Sequence, residues 1–165
     1  MFELKPISPQ AVPEAIQKAE RYRLLNEPWQ AESICQDVLR IEPEHQMALV
    51  MLLLSLTDQF GQGVSAAAAR EVLPRIHGHY ERAYYAGIVC ERWAGSLLRQ
   101  GSPGAGFTAY QSLREAMQHY EQAESTRPEG NDDAILRWNT CARILMRNKD
   151  LRPRGEEAFE PAFED

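Results

Sequence analysis

Histidine and glutamate side chains are the residues of this chain that are best suited to metal chemistry. Glu42 and His45 have the spacing of the Glu-x-x-His ligand pairs found in di-iron helical proteins. Glu115 and His119 are four residues apart, so they share one face of a helix. Pro43 interrupts the first pair, and no second Glu-x-x-His occurs. A metal-dependent helical enzyme that uses all four residues is therefore kept only as the third hypothesis for function, after the two non-catalytic hypotheses given below.

The remaining reactive side chains favour a protein without catalytic function. His77 and His79 flank a glycine and could chelate a metal, but histidines in a turn are expected to be simply exposed. Cys35, Cys90 and Cys141 are widely spaced and form no Cys-x-x-Cys pair, which predicts reduced, packed thiols. The sequence has no phosphate-binding loop, nucleophile elbow or zinc pattern. We therefore expect no enzyme activity, no cofactor and no metal.

Composition and charge limit the partners and the compartment. The chain of 165 residues is about one domain and carries a net charge of −6. Five carboxylates lie in residues 156–165 without any Lys or Arg, so the rest is close to neutral. This balance argues against nucleic acid as a partner. The first ten residues do not resemble a signal peptide, and the apolar run 47–56 is too short to cross a bilayer. Reduced thiols and these absences predict a cytoplasmic protein without membrane contact.

Helix caps and apolar periodicity predict seven helices and no strand. Proline at or near the first turn marks the beginning of the first two helices, and Pro43 ends the second. Ser65 is an expected N-cap, and Pro74 should kink or end the fourth helix early. Asn131 is an expected cap for the seventh helix. The third, fourth and fifth helices are predicted over 44–57, 66–76 and 80–99, with a flexible loop over 100–107 before the sixth.

Two of these helices repeat one spacing pattern. A small residue is followed by larger or apolar residues four and seven positions later and by a proline twelve positions later. The residues are Ala31, Cys35, Val38 and Pro43 in the second helix, and Ala116, Tyr120, Ala123 and Pro128 in the sixth. Recurrence of this kind indicates a helical repeat protein.

The pattern resembles the tetratricopeptide repeat, a unit of two antiparallel helices in about 34 residues. Residues 12–45 match best: Ala19 and Tyr22 take the small and aromatic positions of the first helix, and the spacing just described takes those of the second. Ala15 and Lys18 depart from the family pattern. The second unit begins near Gln46 and matches less well, and the resemblance covers roughly residues 10–148. It implies an all-α, right-handed solenoid of antiparallel helix pairs, with helices one, three, five and seven on a concave face.

The resemblance also implies a function in protein binding. One variant of the family holds acidic peptide termini with Lys, Arg and Asn, but the matching positions here are Ile16, Glu20, Val50 and Leu54, so that clamp is missing. We expect a domain over residues 1–150 and an acidic tail over 151–165. The candidate partner-binding residues are Tyr22, Arg23, Tyr84, Trp93, Arg137, Trp138, Phe159 and Phe163.

A basic series near the seventh helix has two interpretations. Arg137, Arg143, Arg147, Arg152 and Arg154 form either an ordinary solvated face or a surface that receives acidic groups. The tail itself is either a solvating segment or a linear motif that binds through its two phenylalanines, to this chain or to another.

The sequence therefore predicts an adaptor or assembly factor that binds another protein or peptide. The first alternative is a permanent structural subunit of a larger assembly, which would expose a large apolar surface and self-associate when isolated.

Overall fold

A computed structural model describes residues 1–153 and Gly155. The prediction of an all-helical protein is confirmed, and no strand occurs in the part of the chain that the structure describes. A 3₁₀ turn, Pro9–Ala11, precedes the first α-helix, and a second one, Leu73–Arg75, follows the fourth. The α-helices are α1 Val12–Leu24, α2 Pro28–Ile41, α3 Gln46–Asp58, α4 Ala66–Arg70, α5 His79–Gln100, α6 Ala105–Ser125 and α7 Asp133–Arg147.

Local side-chain chemistry explains where several helices begin. Pro28 occupies the first turn of α2, where a missing N–H costs nothing. The Ala48 N–H donates to Nδ1 of His45 at 3.1 Å, so His45 caps α3. The Ala68 N–H donates to Oγ of Ser65 at 3.3 Å, as expected for a serine cap. Each cap satisfies a backbone donor that the helix itself leaves unpaired.

The structure corrects two helix boundaries. The fourth helix ends at Arg70 instead of continuing to residue 76, because Pro74 cannot donate a backbone hydrogen bond and the chain tightens into the 3₁₀ turn. The sixth helix begins at Ala105, inside the predicted loop. Gly104 precedes it with φ +77°, a conformation that glycine adopts without a steric penalty.

The first half of the chain builds one hydrophobic core around α3. Helix α3 packs against α2, which in turn packs against α1, and smaller contacts join α3 to α4 and α5. Ala31, Cys35, Leu49 and Leu53 are fully buried at the centre of this core. Small residues such as Ala31 allow the helix backbones to approach closely.

A second hydrophobic core lies between α5, α6 and α7. Its members include Leu113, Tyr120 and Cys141, each at most 1% exposed. Leu54 of α3 and Tyr85 of α5 pack against both cores, so the two are continuous through α5. Beyond α7, Leu151 is also buried in this second core, which holds the chain against the beginning of α6.

Candidate functional site

The most apolar helix of the protein leaves one strip of its surface uncovered. Most of α3 is buried, but Met47 is 55% exposed and Val50, Leu54 and Asp58 are half-buried. These four residues recur at intervals of three or four, so they lie along one side of α3. We call them the α3 stripe. Its first three residues are apolar, and its last residue is Asp58.

Two shallow grooves border the apolar end of the α3 stripe. The α1–α3 groove has a volume of about 410 Å³, and the α3–α5 groove has about 270 Å³. Met47 lines both, so its side chain forms the ridge between them. The other lining residues are Pro13, Ile16, Gln17, Glu20, His45 and Met51 in the first groove, and Gln46, Val50, Ile76, His77, Glu81 and Tyr85 in the second.

Ion pairs connect α1, α3 and α5 at the other end of the α3 stripe. Nε of Arg23 donates to Oδ2 of Asp58 at 2.7 Å, and Nη1 of Arg92 donates to Oδ1 at 2.6 Å. Arg92 also donates to Oγ1 of Thr57 at 2.7 Å. Burial lowers the pKa of Arg92, and the Asp58 carboxylate opposes that change. The single carboxylate of Asp58 neutralises only one of the two arginines. The surface at this end of the α3 stripe therefore keeps a positive charge.

A small polar cleft opens beside these ion pairs. Its volume is about 220 Å³, and Thr57, Asp58, Arg92 and Arg99 line it. Arg99 lies seven residues after Arg92, on the same side of α5, and its side chain is exposed. We call this feature the arginine cleft. Guanidinium groups bind carboxylates in paired hydrogen bonds, so the arginine cleft suits an acidic group.

A second polar network joins α5, α6 and α7. Glu91 accepts a hydrogen bond from the Tyr120 hydroxyl at 2.5 Å and pairs with Nη1 of Arg137 at 3.2 Å. Burial and the Glu91 carboxylate raise the pKa of Tyr120. Burial lowers the pKa of Arg137, but Glu91, Tyr84 and Tyr120 together outweigh that effect and raise it. The Glu91 side chain is only 10% exposed, so this network holds the three helices in register.

The predicted binding residues occupy different environments. Arg23 and Arg137 belong to the two networks described above. Tyr22 and Trp93 are half-buried against the first core, and the ring of Trp93 meets Phe60 edge-on with centroids 5.4 Å apart. Tyr84 is half-buried within an aromatic group of α5 and α6, 6.0 Å from the ring of Tyr120.

The last predicted residues lie near α7 or beyond the described part of the chain. Nε1 of Trp138 donates to Oε1 of Glu121 at 2.9 Å, which joins α7 to α6. Arg143, Arg147 and Arg152 are exposed. The other predicted members, Arg154, Phe159 and Phe163, lie outside the described residues.

The four residues of the metal alternative are not brought together. His45 serves as a helix cap, and its Nε2 lies 4.0 Å from Glu42. Glu115 of α6 instead accepts a hydrogen bond from Gln111 and lies 3.9 Å from the Cys90 sulfur. Among residues 1–153, no group of three or more His, Cys, Asp or Glu side chains is arranged to hold a metal.

All three cysteines are buried free thiols, as predicted. Burial raises the pKa of Cys35 and of Cys141 to about 12 each. Burial, together with the nearby Glu115, raises the pKa of Cys90 as well. These thiols remain protonated near neutral pH, so they are poor nucleophiles.

Sequence reasoning missed several residues of this face. Met47, Asp58, Arg92 and Arg99 were not selected as candidates, although Asp58 carries a readable signal. It is the only charged residue of α3, and a carboxylate at the end of an apolar helix needs a cationic neighbour. The identity of that neighbour depends on how α5 packs, which the sequence did not indicate.

No helix of the described chain is long and apolar enough to cross a membrane. Comparisons of the chain with models of protein families, with curated proteins and with solved structures found no match.

Proposed function

We propose that this protein is a non-catalytic binding module that recognises a segment of another protein on the α3 stripe and its neighbouring grooves. The exposed Met47 supports this proposal most directly. A methionine between two grooves presents a flexible apolar side chain that adapts to different ligand shapes. Exposed apolar surface beside concave grooves is typical of interaction sites.

The charge along the α3 stripe defines the chemistry of the bound segment. Apolar side chains of the ligand would fill the grooves beside Met47, and a carboxylate would bind in the arginine cleft through Arg92 and Arg99. The distance between the two ends sets the ligand length. Met47 and Asp58 are eleven residues apart on a helix, which corresponds to about 16 Å or about five residues of an extended peptide.

A tetratricopeptide-like arrangement is part of the same proposal. The ion pairs from Arg23 to Asp58 and from Asp58 to Arg92 connect α1, α3 and α5, and the pair from Glu91 to Arg137 connects α5 to α7. Contacts between alternate helices are what stacked antiparallel helix pairs would produce. The close packing of Gly87 on Tyr120 agrees with the small residues at helix crossings in that family.

Selection from a random peptide library tests this function directly. We expect enrichment of peptides that combine apolar residues with Asp or Glu about five positions away. Met47→Glu should weaken the selected peptides at least about tenfold, because it places a charge on the ridge between the grooves. Met146→Glu is the matched control, since Met146 is an exposed methionine on α7. Equal binding to both variants would contradict the proposal.

A permanent structural subunit is the second candidate. Leu24, Leu25 and Trp29 are 83%, 62% and 51% exposed at the turn between α1 and α2, so a second apolar surface exists away from the α3 stripe. A subunit of this type should self-associate when isolated, whereas an adaptor should remain monomeric. Sedimentation of the wild type and of Trp29→Glu distinguishes the two candidates.

A further inference from the structure

A separate groove lies on α6, far along the chain from the α3 stripe. Its volume is about 340 Å³, and Phe107, Tyr110 and Arg114 of α6 line it together with Pro153. The three α6 residues are spaced by three and four positions, so they form one stripe of the helix. Phe107 and Arg114 lie outside the second hydrophobic core, which includes Leu113, whereas Tyr110 is half-buried and also packs against that core. We call this feature the α6 groove; its remaining lining residues are Gly104, Thr108 and Gln111.

The chain after α7 is held directly beside the α6 groove. Leu151 is buried, and a Cβ atom placed on Gly106 would lie 3.8 Å from its Cδ2 and 3.4 Å from the backbone oxygen of Asp150. The small residue at position 106 therefore lets this segment lie close to α6. As a consequence, Pro153 forms one wall of the groove.

The residues that follow can reach the whole groove. Gly155 has φ +112°, a conformation that favours glycine and turns the chain. Phe159 follows Pro153 by six residues, which span up to about 20 Å when extended. The groove stripe from Phe107 to Arg114 covers about 10 Å of helix. Length therefore does not limit contact between the two segments.

The α6 groove and residues 156–165 are also complementary in charge and in side-chain type. Arg114 lines the groove, and Arg152 precedes Pro153 in the chain. Both arginines are exposed, and no ion pair joins either to another described residue. Residues 156–165 carry five carboxylates, no Lys or Arg, and two phenylalanines. The groove offers the aromatic side chains of Phe107 and Tyr110. Aromatic pairs gain energy beyond simple burial, and guanidinium groups favour carboxylates.

We propose that residues 156–165 bind in cis to the α6 groove. Phe159 and Phe163 pack against Phe107 and Tyr110, and the flanking carboxylates face Arg114. This contact is independent of the function proposed for the α3 stripe. It covers an apolar surface of α6 and leaves the grooves beside Met47 free for a partner.

A site-specific photo-crosslinker in the full chain tests the contact. Gln111 lines the α6 groove and is exposed, so we would replace it with a photoreactive phenylalanine analogue. After irradiation, mass spectrometry should find position 111 joined to a peptide from 156–165 in the monomeric product, independently of protein concentration. The same analogue at Gln36, an exposed position on α2, should give no such product.

Substitutions in the tail identify the anchors. Phe159→Ser combined with Phe163→Ser should reduce the crosslink yield at least about tenfold. Phe2→Ser is the matched control, because Phe2 is a fully exposed phenylalanine at the other end of the chain. Three outcomes would overturn the proposal: equal crosslinking from positions 111 and 36, a yield unchanged by the tail substitutions, or a product found only between two copies and only at high concentration.

Discussion

Gly87 of α5 lies directly against the aromatic ring of Tyr120 of α6. A Cβ atom on Gly87 would lie 2.7 Å from Cδ1 of that ring and closer still to Cε1, which is too short for any real contact. Both residues are buried, so neither can move away without disturbing the second core. The close approach of α5 and α6 therefore depends on a glycine inside a long helix.

Replacement of this glycine should destabilise the protein despite a gain in helix propensity. Alanine is favoured over glycine by about 1 kcal/mol in a helix interior, but overpacking a tight core costs about 1–3 kcal/mol. Because the Tyr120 ring has no free space, we expect Gly87→Ala to lower the free energy of unfolding by about 1–2 kcal/mol. Urea denaturation measures this change.

Gly95 provides the matched control on the same helix. A Cβ atom there would meet only the terminal nitrogen of the flexible Arg99 side chain, at 3.3 Å. Gly95→Ala should therefore leave stability unchanged or raise it by up to about 1 kcal/mol. If both alanine variants were equally stable, the close crossing at Gly87 would not be a constraint.

The hydroxyl group of Tyr120 should contribute to stability through Glu91. Tyr120→Phe removes the donor to Oε2 of a carboxylate whose side chain is 10% exposed, while Arg137 still pairs with Oε1. A buried acceptor without its partner costs about 1–3 kcal/mol. Tyr110→Phe alters a less buried tyrosine of the same helix and should cost less than about 0.5 kcal/mol. Thermal unfolding of both variants measures the two losses. Equal losses of stability in Tyr120→Phe and Tyr110→Phe would show that this hydrogen bond does not stabilise the fold.

Asp58 should be far more important for stability than an ordinary surface carboxylate. Asp58→Asn leaves Arg23 and Arg92, which are 18% and 26% exposed, without their shared counter-ion. We expect a loss of about 1–3 kcal/mol, as for charged hydrogen bonds in partly buried sites. Glu14→Gln breaks the exposed pair with Lys18 and should cost less than about 0.5 kcal/mol. Similar losses in chemical denaturation would show that the network is no stronger than a surface pair.

The three thiols should react slowly in the native protein. Because burial holds the pKa of Cys35 and Cys141 near 12, raising the pH from 8 to 10 should produce little thiolate at these positions. We expect labelling by a thiol reagent to be at least about a hundredfold slower than in denaturant, where three equivalents react. Rapid native labelling of any one cysteine would show that it is accessible.

The same thiols make stability depend on pH in one direction. An unfolded thiol ionises above about pH 9, but the folded thiols keep their protons until about pH 12. The contribution of these protonated thiols to the free energy of unfolding is complete below pH 9 and is lost as the pH rises from 9 to 12. The urea midpoint should therefore fall between pH 8 and pH 10, and Cys35→Ala should reduce this fall. A steeper fall in the variant would contradict the assignment.

Much of the fold could be predicted from local signals in the sequence. Caps and prolines such as Ser65 and Pro28 predicted where helices begin, and buried periodic residues such as Ala31 and Leu113 predicted the core faces. Pro74 predicted that the fourth helix would kink or end early, although the predicted bound at residue 76 was too late. These features depend on interactions within a few residues, so periodicity and turn chemistry are sufficient to find them.

The candidate site was less accessible to the same reasoning. The sequence predicts Arg23 and Arg137 as partner-binding residues, which stays a prediction. It does not single out Asp58 and Glu91, with which they form ion pairs. The ridge formed by Met47 depends on the spacing between α1, α3 and α5, and apolar periodicity in α3 alone predicts burial on every side. Contacts between distant helices set these features, and a single sequence does not specify their geometry.

NMR mapping of a selected peptide on the protein shows whether the α3 stripe is the binding site. A peptide enriched by library selection would be titrated into isotope-labelled protein, and backbone shift changes would be followed residue by residue. We expect shift changes concentrated at Met47, Val50, Asp58 and Arg92, with loss of binding in Met47→Glu but not in Met146→Glu. Failure to enrich any peptide, or shift changes confined to other surfaces such as the α6 groove, would contradict the proposed function.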